Sequence, residues 1–247
     1  MTKYLSELDT KRFGLKVARI ENFQGDPTKI ISDLKKQGVK LIIARVNTDD
    51  ITTINVLENM GFEHKDSQLK YFLPLINKEK ENLGNNKYFK IRTVEKKDVD
   101  ELTVIAKEAF YNHGHYFADP KLDREKCIEI YMDWTRRCCL DKNFADIVFV
   151  AENYNDIMGF LSYKIFYKKN SYYAKTGLGA IREKYRRKGI YTGILKYGTN
   201  WAIQSNLDRE EHFVPVTNIA INNLFVKLGF KLKGSFVTLH NWLDSHI

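Results

Sequence analysis

The chain is 247 residues long, enough to bury a full core as one large domain or two smaller ones. With 43% hydrophobic and 29% charged residues and no apolar run near the roughly 20 residues of a membrane span, it reads as a globular protein with no membrane partner, and its start, MTKYLSELDTKRFG, lacks the order of a signal peptide and points to the cytoplasm. The net charge of +9, from 40 Lys plus Arg against 31 Asp plus Glu, suits polyanionic ligands in general, from nucleic acid to nucleotide-bearing small molecules.

In chain order, Leu15 to Ile20 reads as a strand. A helix follows, with Asp26 as cap, Pro27 in the first turn, Ile30, Ile31 and Leu34 on its buried face, and Gly38 as its stop. The apolar run Lys40 to Val46 reads as a buried strand. A second helix, capped by Asp49 or Asp50, turns Ile51, Ile54 and Leu57 inward and ends at Gly61, and a strand runs from Phe62 to Leu75. The polar, aperiodic stretch 77–87, NKEKENLGNNK, is the best linker. The expected division is therefore a smaller unit over 1–78, a linker over 79–87 and a second unit over 88–247.

The second unit opens with a strand, Tyr88 to Val94, and a helix whose inner face is Val99, Leu102, Ile105, Ala106 and Ala109. Another helix covers 123–140. Its stripe of Cys127, Tyr131, Trp134 and Cys138 reads as packing, since three cysteines without CxxC spacing or a companion histidine cluster make neither a disulfide framework nor a metal site. Ala145 to Asn153 and Ile157 to Tyr167 flank the polar turn Tyr154, Asn155, Asp156 as a hairpin, and Tyr172 to Ile181 completes a meander. A basic loop, a helix over 190–205, a strand through Phe213 to Val216, a helix over 218–228 and a final pair of strands end the chain.

The two units show an internal similarity. Aligning Gly61-Phe62 with Gly229-Phe230 places Ile51, Asn55, Val56 and Leu57 over Ile219, Asn223, Leu224 and Phe225, and Lys65 and Ser67 over Lys233 and Ser235. Any helix with a glycine stop produces part of this pattern. The alternative is that the first unit is a truncated copy of the second, without its basic loop, adding shape and acceptor contacts rather than cofactor binding.

That loop, Gly179-Ala180-Ile181-Arg182-Glu183-Lys184-Tyr185-Arg186-Arg187-Lys188-Gly189-Ile190-Tyr191-Thr192, carries the chemistry. A strand that turns through glycine into a helix aims unpaired N–H groups and the positive end of the helix dipole at one point, an anion site. Arg182, Lys184, Arg186, Arg187 and Lys188 raise the potential there, and Gly189 lets the backbone approach a bulky phosphate. The pattern Arg186-x-x-Gly189-x-Tyr191 resembles the Arg/Gln-x-x-Gly-x-Gly/Ala pyrophosphate loop of GNAT acetyltransferases, with Tyr191 where a small residue is usual. Asn218-Ile-Ala220, Leu224-Phe225 and Gly229-Phe230 are similar to a later segment of the same family. The resemblance implies an α/β GNAT fold: a mixed, mostly antiparallel twisted sheet flanked by helices, preceded here by a smaller truncated copy.

It also implies acetyl coenzyme A, or another acyl coenzyme A, as donor, with no metal. Gly179, Ala180 and Ile181 would hold the pantetheine arm as an added strand, and a backbone N–H of that strand would stabilise the oxyanion. Arg186, Arg187, Lys188, Gly189, Ile190, Tyr191 and Thr192 would hold the diphosphate, with Asn218 and Phe225 beside the cofactor. Family members often place a tyrosine where this chain has Phe225, to protonate the departing thiolate, and phenylalanine has no proton to give. Tyr191, Asn222 or a water are the substitutes, or the thiolate leaves unassisted.

The acceptor comes from a narrower resemblance. Leu8 to Arg19, His115 to Lys126 and Thr238 to Leu243 are similar to TDP-fucosamine acetyltransferases and relatives that acylate nucleotide-linked (dTDP) 4-amino-4,6-dideoxy sugars for O-antigen or other surface polysaccharides. Tyr111, His113, His115, Tyr116 and Asp119 lie between two helices, where such proteins build the acceptor wall, unless that segment is only a surface loop ending at Asp119-Pro120. His113 and His115 are candidates to take the amine's proton. Two other readings stay open: an acetyltransferase acting on a peptide or small-molecule amine, and a non-catalytic module binding coenzyme A or nucleic acid. Nucleic acid is not the expected partner, and monomer or homodimer is not legible.

Overall fold

The computed structural model describes residues 3–21, 23–84, 86–154 and 156–243, so Asn155 of the expected hairpin turn lies outside the described residues. The helices are α1 (Glu7–Phe13), α2 (Pro27–Lys36), α3 (Ile51–Asn59), α4 (Val99–Phe110), α5 (Gly114–Phe117), α6 (Arg124–Leu140), α7 (Ile190–Gln204) and α8 (Ile219–Lys227). The strands are β1 (Val17–Glu21), β2 (Leu41–Asn47), β3 (Glu63–Pro74), β4 (Lys90–Thr93), β5 (Ile147–Asn153), β6 (Asp156–Lys168), β7 (Ser171–Ile181), β8 (Arg209–Pro215) and β9 (Lys231–Trp242). They form one nine-stranded sheet in the order β1-β2-β9-β3-β8-β7-β6-β5-β4. Only β1·β2 and β7·β8 are parallel, each joined by a helical crossover, so the sheet is mixed and mostly antiparallel as expected. One face packs Val148, Val150, Phe160 and Leu178 under α4 and α6; α7 and α8 cover Phe149, Leu161, Tyr163 and Val214 on the other.

Local chemistry accounts for the helix limits. Asp26 accepts from Thr28 N–H with Pro27 at the start of α2, Asp50 accepts from Thr53 N–H at α3, and Asn218 from Ile221 N–H at α8; each cap contributes about 1 kcal/mol. Gly61 and Gly229 end α3 and α8 with φ of 84° and 83°, a conformation that side chains resist. Four details differ from the sequence reading. Ile51 is 57% exposed, because it precedes Leu57 by six residues and so sits about 120° round the helix from that buried side chain. Trp134 is 39% exposed beside the buried Cys127 and Cys138. The expected final pair of strands is the single strand β9, and β8 begins at Arg209 rather than Phe213.

The internal similarity extends through the hydrogen-bond register. Gly61 and Gly229 stand 168 positions apart (229 − 61), and the same offset carries β2, α3 and β3 onto β8, α8 and β9, limit for limit. Gln68 pairs with Phe236, its own counterpart, so a pseudo-twofold axis passes between them. Asn47 pairs with Phe236 in β2·β9 as Gln68 pairs with Pro215 in β3·β8. The copies have exchanged strands: β9 lies between β2 and β3, and β3 lies between β9 and β8. The copies differ at one crossover. Val17 pairs with Leu41 and Tyr173 with Arg209, so the second crossover is longer by 12 residues (209 − 173 = 36 against 41 − 17 = 24). α2 and α7 end 168 positions apart (204 − 36), which places the extra residues in the basic loop and the start of α7.

The boundary near 79–87 is thus a chain connection across a continuous sheet. The connection is also tied down: Glu81 N–H donates to Asn200 Oδ1 at 2.9 Å, Asn200 Nδ2 returns a bond to Glu81 O at 2.8 Å, and Lys196 Nζ reaches Glu81 at 2.6 Å. Cleaving the chain within 79–87 is expected to leave the two fragments together, since β9 is hydrogen-bonded on both sides by strands of the first unit; co-elution on native size exclusion, with separation only in denaturant, is the check.

Candidate active site

Between β7 and α7 the backbone makes a nest. Arg187 and Gly189 both have positive φ, 62° and 77°, and Gly189 is the residue before the first turn of α7, with no side chain capping it. Among the described residues, no backbone acceptor meets the N–H groups of 187–192. Six donors at the positive end of a 15-residue helix make an anion site of diphosphate character.

The five cations of the loop divide into two groups. Arg182 Nη1 and Lys184 Nζ bind Asp156 at 2.8 and 2.5 Å, Tyr185 OH donates to the same carboxylate, and Arg182 also reaches Glu101 at 3.1 Å. The hydrogen bonds from Lys184 and Tyr185 hold the Asp156 carboxyl below its ordinary range. These two cations therefore fasten the loop to the β5–β6 hairpin and are already neutralised. Arg186, Arg187 and Lys188 are exposed and remain for a ligand.

Next to the nest the sheet opens. β7 and β8 pair only from Tyr173↔Arg209 to Lys175↔Glu211, after which β7 continues on β6 and β8 on β3. The facing edges of 176–181 and 212–215 are left apart, and a bulge between Leu161 and Tyr163 of β6 shifts the register of β7 at that point. Gly179 leaves room here: a Cβ would crowd the end of the Leu161 side chain and come within 3.4 Å of the Tyr191 ring. Tyr191, unusual at its position, packs against the space that Gly179 leaves, its phenol pKa raised by burial and by the charge of Glu210.

The segment between α4 and α6 does less than its sequence promises. Tyr111 and His113 are exposed, but His115, Tyr116 and Asp119 are 6%, 5% and 1% exposed. His115 Nδ1 meets His240 Nε2 at 2.9 Å, and His240 Nδ1 meets Asp119 at 2.7 Å, where Trp242 Nε1 also donates at 2.9 Å. Burial, with Arg19 and His240 nearby, holds the His115 pKa well below its ordinary value, so it is a neutral donor to His240. Tyr116 OH donates to Asp9 and accepts from Arg19. These three residues are supports beneath α5 rather than the surface of an acceptor wall.

The surface itself includes residues that sequence reading missed. A cavity of about 270 Å³ is bounded by His64, Asp66 and Ser67 of β3, by Asn112 and Phe117, and by Thr217 beyond the end of β8. His64 Nε2 and Ser67 Oγ are 2.8 Å apart, and burial raises the Asp66 pKa against a hydrogen bond from Gln68. The strand exchange brings these side chains from the first unit beside the end of β8. A larger hollow, about 720 Å³, lies between 80–84 and α7 and does not include the nest.

This geometry matches known proteins. The acetyltransferase (GNAT) family model matches residues 100–230, just over half of the chain. The chain belongs to the GNAT acetyltransferase family. No protein of curated function matches it in sequence. Among solved structures it is similar to a conserved protein of unknown function from Staphylococcus epidermidis (12% identity, 98% of this chain and 92% of that one, TM-score 0.63). It is also similar to a tandem GNAT protein of the clavulanic acid biosynthesis pathway (11%, 95% and 77%, 0.65). A third likeness is to the GCN5-related glucosamine N-acetyltransferase region of a fungal multi-domain GH3 β-N-acetylglucosaminidase (12%, 92% and 30%, 0.62). At these identities the likeness is one of fold.

GNAT proteins use acetyl coenzyme A, and the nest, the three exposed cations and the open edge of β7 fit a diphosphate followed by an amide-bearing arm. No group of three or more metal-ligating residues occurs among the described residues, and no helix there is long and apolar enough to cross a membrane. Other expected ligand contacts are already committed. Asn218 Oδ1 caps α8, and Asn222 Nδ2 ties α8 to the carbonyls of Pro215 and Val216 at 3.1 and 3.2 Å. Asn222 is thus a structural tether, not an acid. Phe225 is 1% exposed against Tyr71, His212 and Phe230, which removes it from any ligand surface.

Two outcomes follow. Arg187→Ala and Lys188→Ala should each weaken acetyl coenzyme A binding roughly tenfold, about 1.4 kcal/mol, whereas Lys184→Ala, whose charge Asp156 already neutralises, should change it less than about threefold, as read by calorimetry. Asp119 is pushed up by burial but brought down to about 2 by hydrogen bonds from His240, Trp242 and Lys121 N–H, against 3.8 ordinarily. Its stabilisation is present above that ordinary value and lost as pH falls towards 2. Asp119→Asn should therefore lose about 2 kcal/mol at neutral pH, with the gap to wild type closing on acidification in denaturant melts.

Proposed function

We propose that this GNAT protein transfers an acetyl group from acetyl coenzyme A to the amine of a nucleotide-linked amino-dideoxy sugar, with dTDP as the nucleotide, by direct attack of the neutral amine on the thioester. The observation that carries the donor half is the nest of unpaired N–H groups at 187–192 beside an open strand edge. The donor supplies the activated acyl group; the chain grips its diphosphate, pairs its arm and presents a backbone N–H to the carbonyl oxygen.

The acceptor half is supported by the cavity bounded by His64, Asp66, Ser67 and Asn112, whose polar groups suit hydroxyls and an amine. It is supported also by the sequence resemblances at both ends of the chain and in 115–126. The exposed His113 and Tyr111 at the rim are its remaining wall candidates, with His113 Nδ1 bound to Tyr111 O at 2.7 Å. A basic loop for nucleic acid is less well served, because Asp156 and Glu101 already neutralise Arg182 and Lys184.

Thiol release from acetyl coenzyme A, measured with dTDP-, UDP- and GDP-linked amino sugars, glucosamine, peptides and simple amines, decides the acceptor. Turnover is expected with a dTDP-linked amino sugar, and Asp66→Asn should raise its KM about tenfold without changing donor affinity. Turnover on peptides alone removes the sugar, and the absence of thiol release with every amine, alongside salt-sensitive binding to DNA or RNA, removes the enzyme reading.

A further inference from the structure

The family's usual phenol is absent at Phe225, yet a proton-bearing chain of side chains lies beside that ring. His212, whose ring centroid is 4.8 Å from that of Phe225, has Nδ1 3.0 Å from Thr176 Oγ1 and Nε2 3.0 Å from Glu210 Oε2. His212 is 1% exposed and Glu210 0%, and Glu210 Oε1 has no hydrogen-bond partner among the described residues. Thr176 is half-buried and stands at the first position of β7 beyond its last pairing with β8, where the opening begins.

The first copy of the unit supplies an internal control. The counterparts of Thr176, Glu210 and His212 are Ile20, Ile42 and Ala44, all buried hydrocarbon. There the ladder does not open: Ile20↔Ala44 pairs, and Glu21↔Arg45 continues it. The fold is therefore built equally well without polar groups at these positions. Burying a carboxyl group with an unpaired oxygen is costly, and that cost is borne only in the copy that has the basic loop.

We propose that Thr176, His212 and Glu210 form a proton relay that serves the departing thiolate in place of the missing phenol. The inference rests on the acetyl-transfer reading. As the amine nitrogen bonds to the carbonyl carbon, the carbon–sulfur bond breaks and its electron pair leaves on sulfur. Thr176 gives its hydroxyl proton to that sulfur and takes another from the His212 imidazolium, which Glu210 orients and balances. The nitrogen sheds its extra proton to solvent, from which His212 is later recharged. Thr176 is the catalytic residue, and His212 and Glu210 are positioning residues that act through it.

Two measurements on the full chain test the relay. In thiol release from acetyl coenzyme A, with the amine of the panel that wild type uses fastest, Thr176→Val should lower kcat roughly tenfold or more. Its KM and dissociation constant for acetyl coenzyme A should stay within about twofold of wild type, and Thr176→Ser should keep most of kcat. Independently of turnover, the thiol of bound coenzyme A, titrated by ultraviolet thiolate absorbance, should ionise about one pH unit lower in wild type than in Thr176→Val, because a donated hydrogen bond favours the charged form. His212→Gln, kept only if its melting temperature matches wild type, should reproduce both effects. Wild-type kcat together with unchanged thiol titration in Thr176→Val overturns the relay and leaves acetyl transfer standing. Absence of thiol release from wild type with every amine overturns acetyl transfer and the relay together.

Discussion

The antiparallel pairing of β3 with β9 about the Gln68–Phe236 pair is the constraint on which the rest depends. Each of these strands leaves its own copy of the unit and completes the other. Once β3 is committed to β9 on one edge, its second edge is delivered to β8, and β8 is held along its whole length by a strand from the other half of the chain. A strand so anchored can part from β7 after three residue pairs without being lost from the sheet. In a smaller sheet, the same opening would leave β8 as a frayed edge.

The two copies show what the active half adds. From β2 to β3 and from β8 to β9 they share strands, helix, cap and glycine stop, and they differ by a 12-residue extension (36 − 24) at the preceding crossover and by the character of the side chains beside it. The extension makes the nest, and two of its cations are spent on fastening it to Asp156. A loop with six unpaired N–H groups and several like charges would otherwise have little reason to hold one shape. Salt-bridged cations rigidify the cradle, and exposed ones are left for the ligand.

Buried and exposed polar groups are similarly divided around α5. Asp119, His240, His115 and Trp242 form a hydrogen-bonded chain from the end of β9 to the short helix α5, fixing that helix from behind. The wetted face comes instead from β3 and from the residues just before α5. Strand exchange therefore sets side chains of the copy without a basic loop beside the end of β8 in the other copy.

The sequence by itself determined most of the local elements and the basic turn into α7, because each is written in short-range patterns: periodic apolar residues, Asp or Asn before a helix, glycine after it, and a basic run leading into Ile190; the copy relationship it only suggested, and the register of β3 on β9 decided it. Only the tertiary structure decided which polar residues would be buried. Arg209-Glu210-Glu211-His212 looks like a solvated run and is the first half of a central strand, and His115, Tyr116 and Asp119 look like a binding loop and are a buried brace. His64, Asp66 and Ser67 were not legible as cavity residues, since their place beside the end of β8 exists only after β3 pairs with that strand. The reason is physical: a polar side chain is stable either in water or against a partner, and partners 36 to 125 residues away in the chain leave no trace in a local pattern.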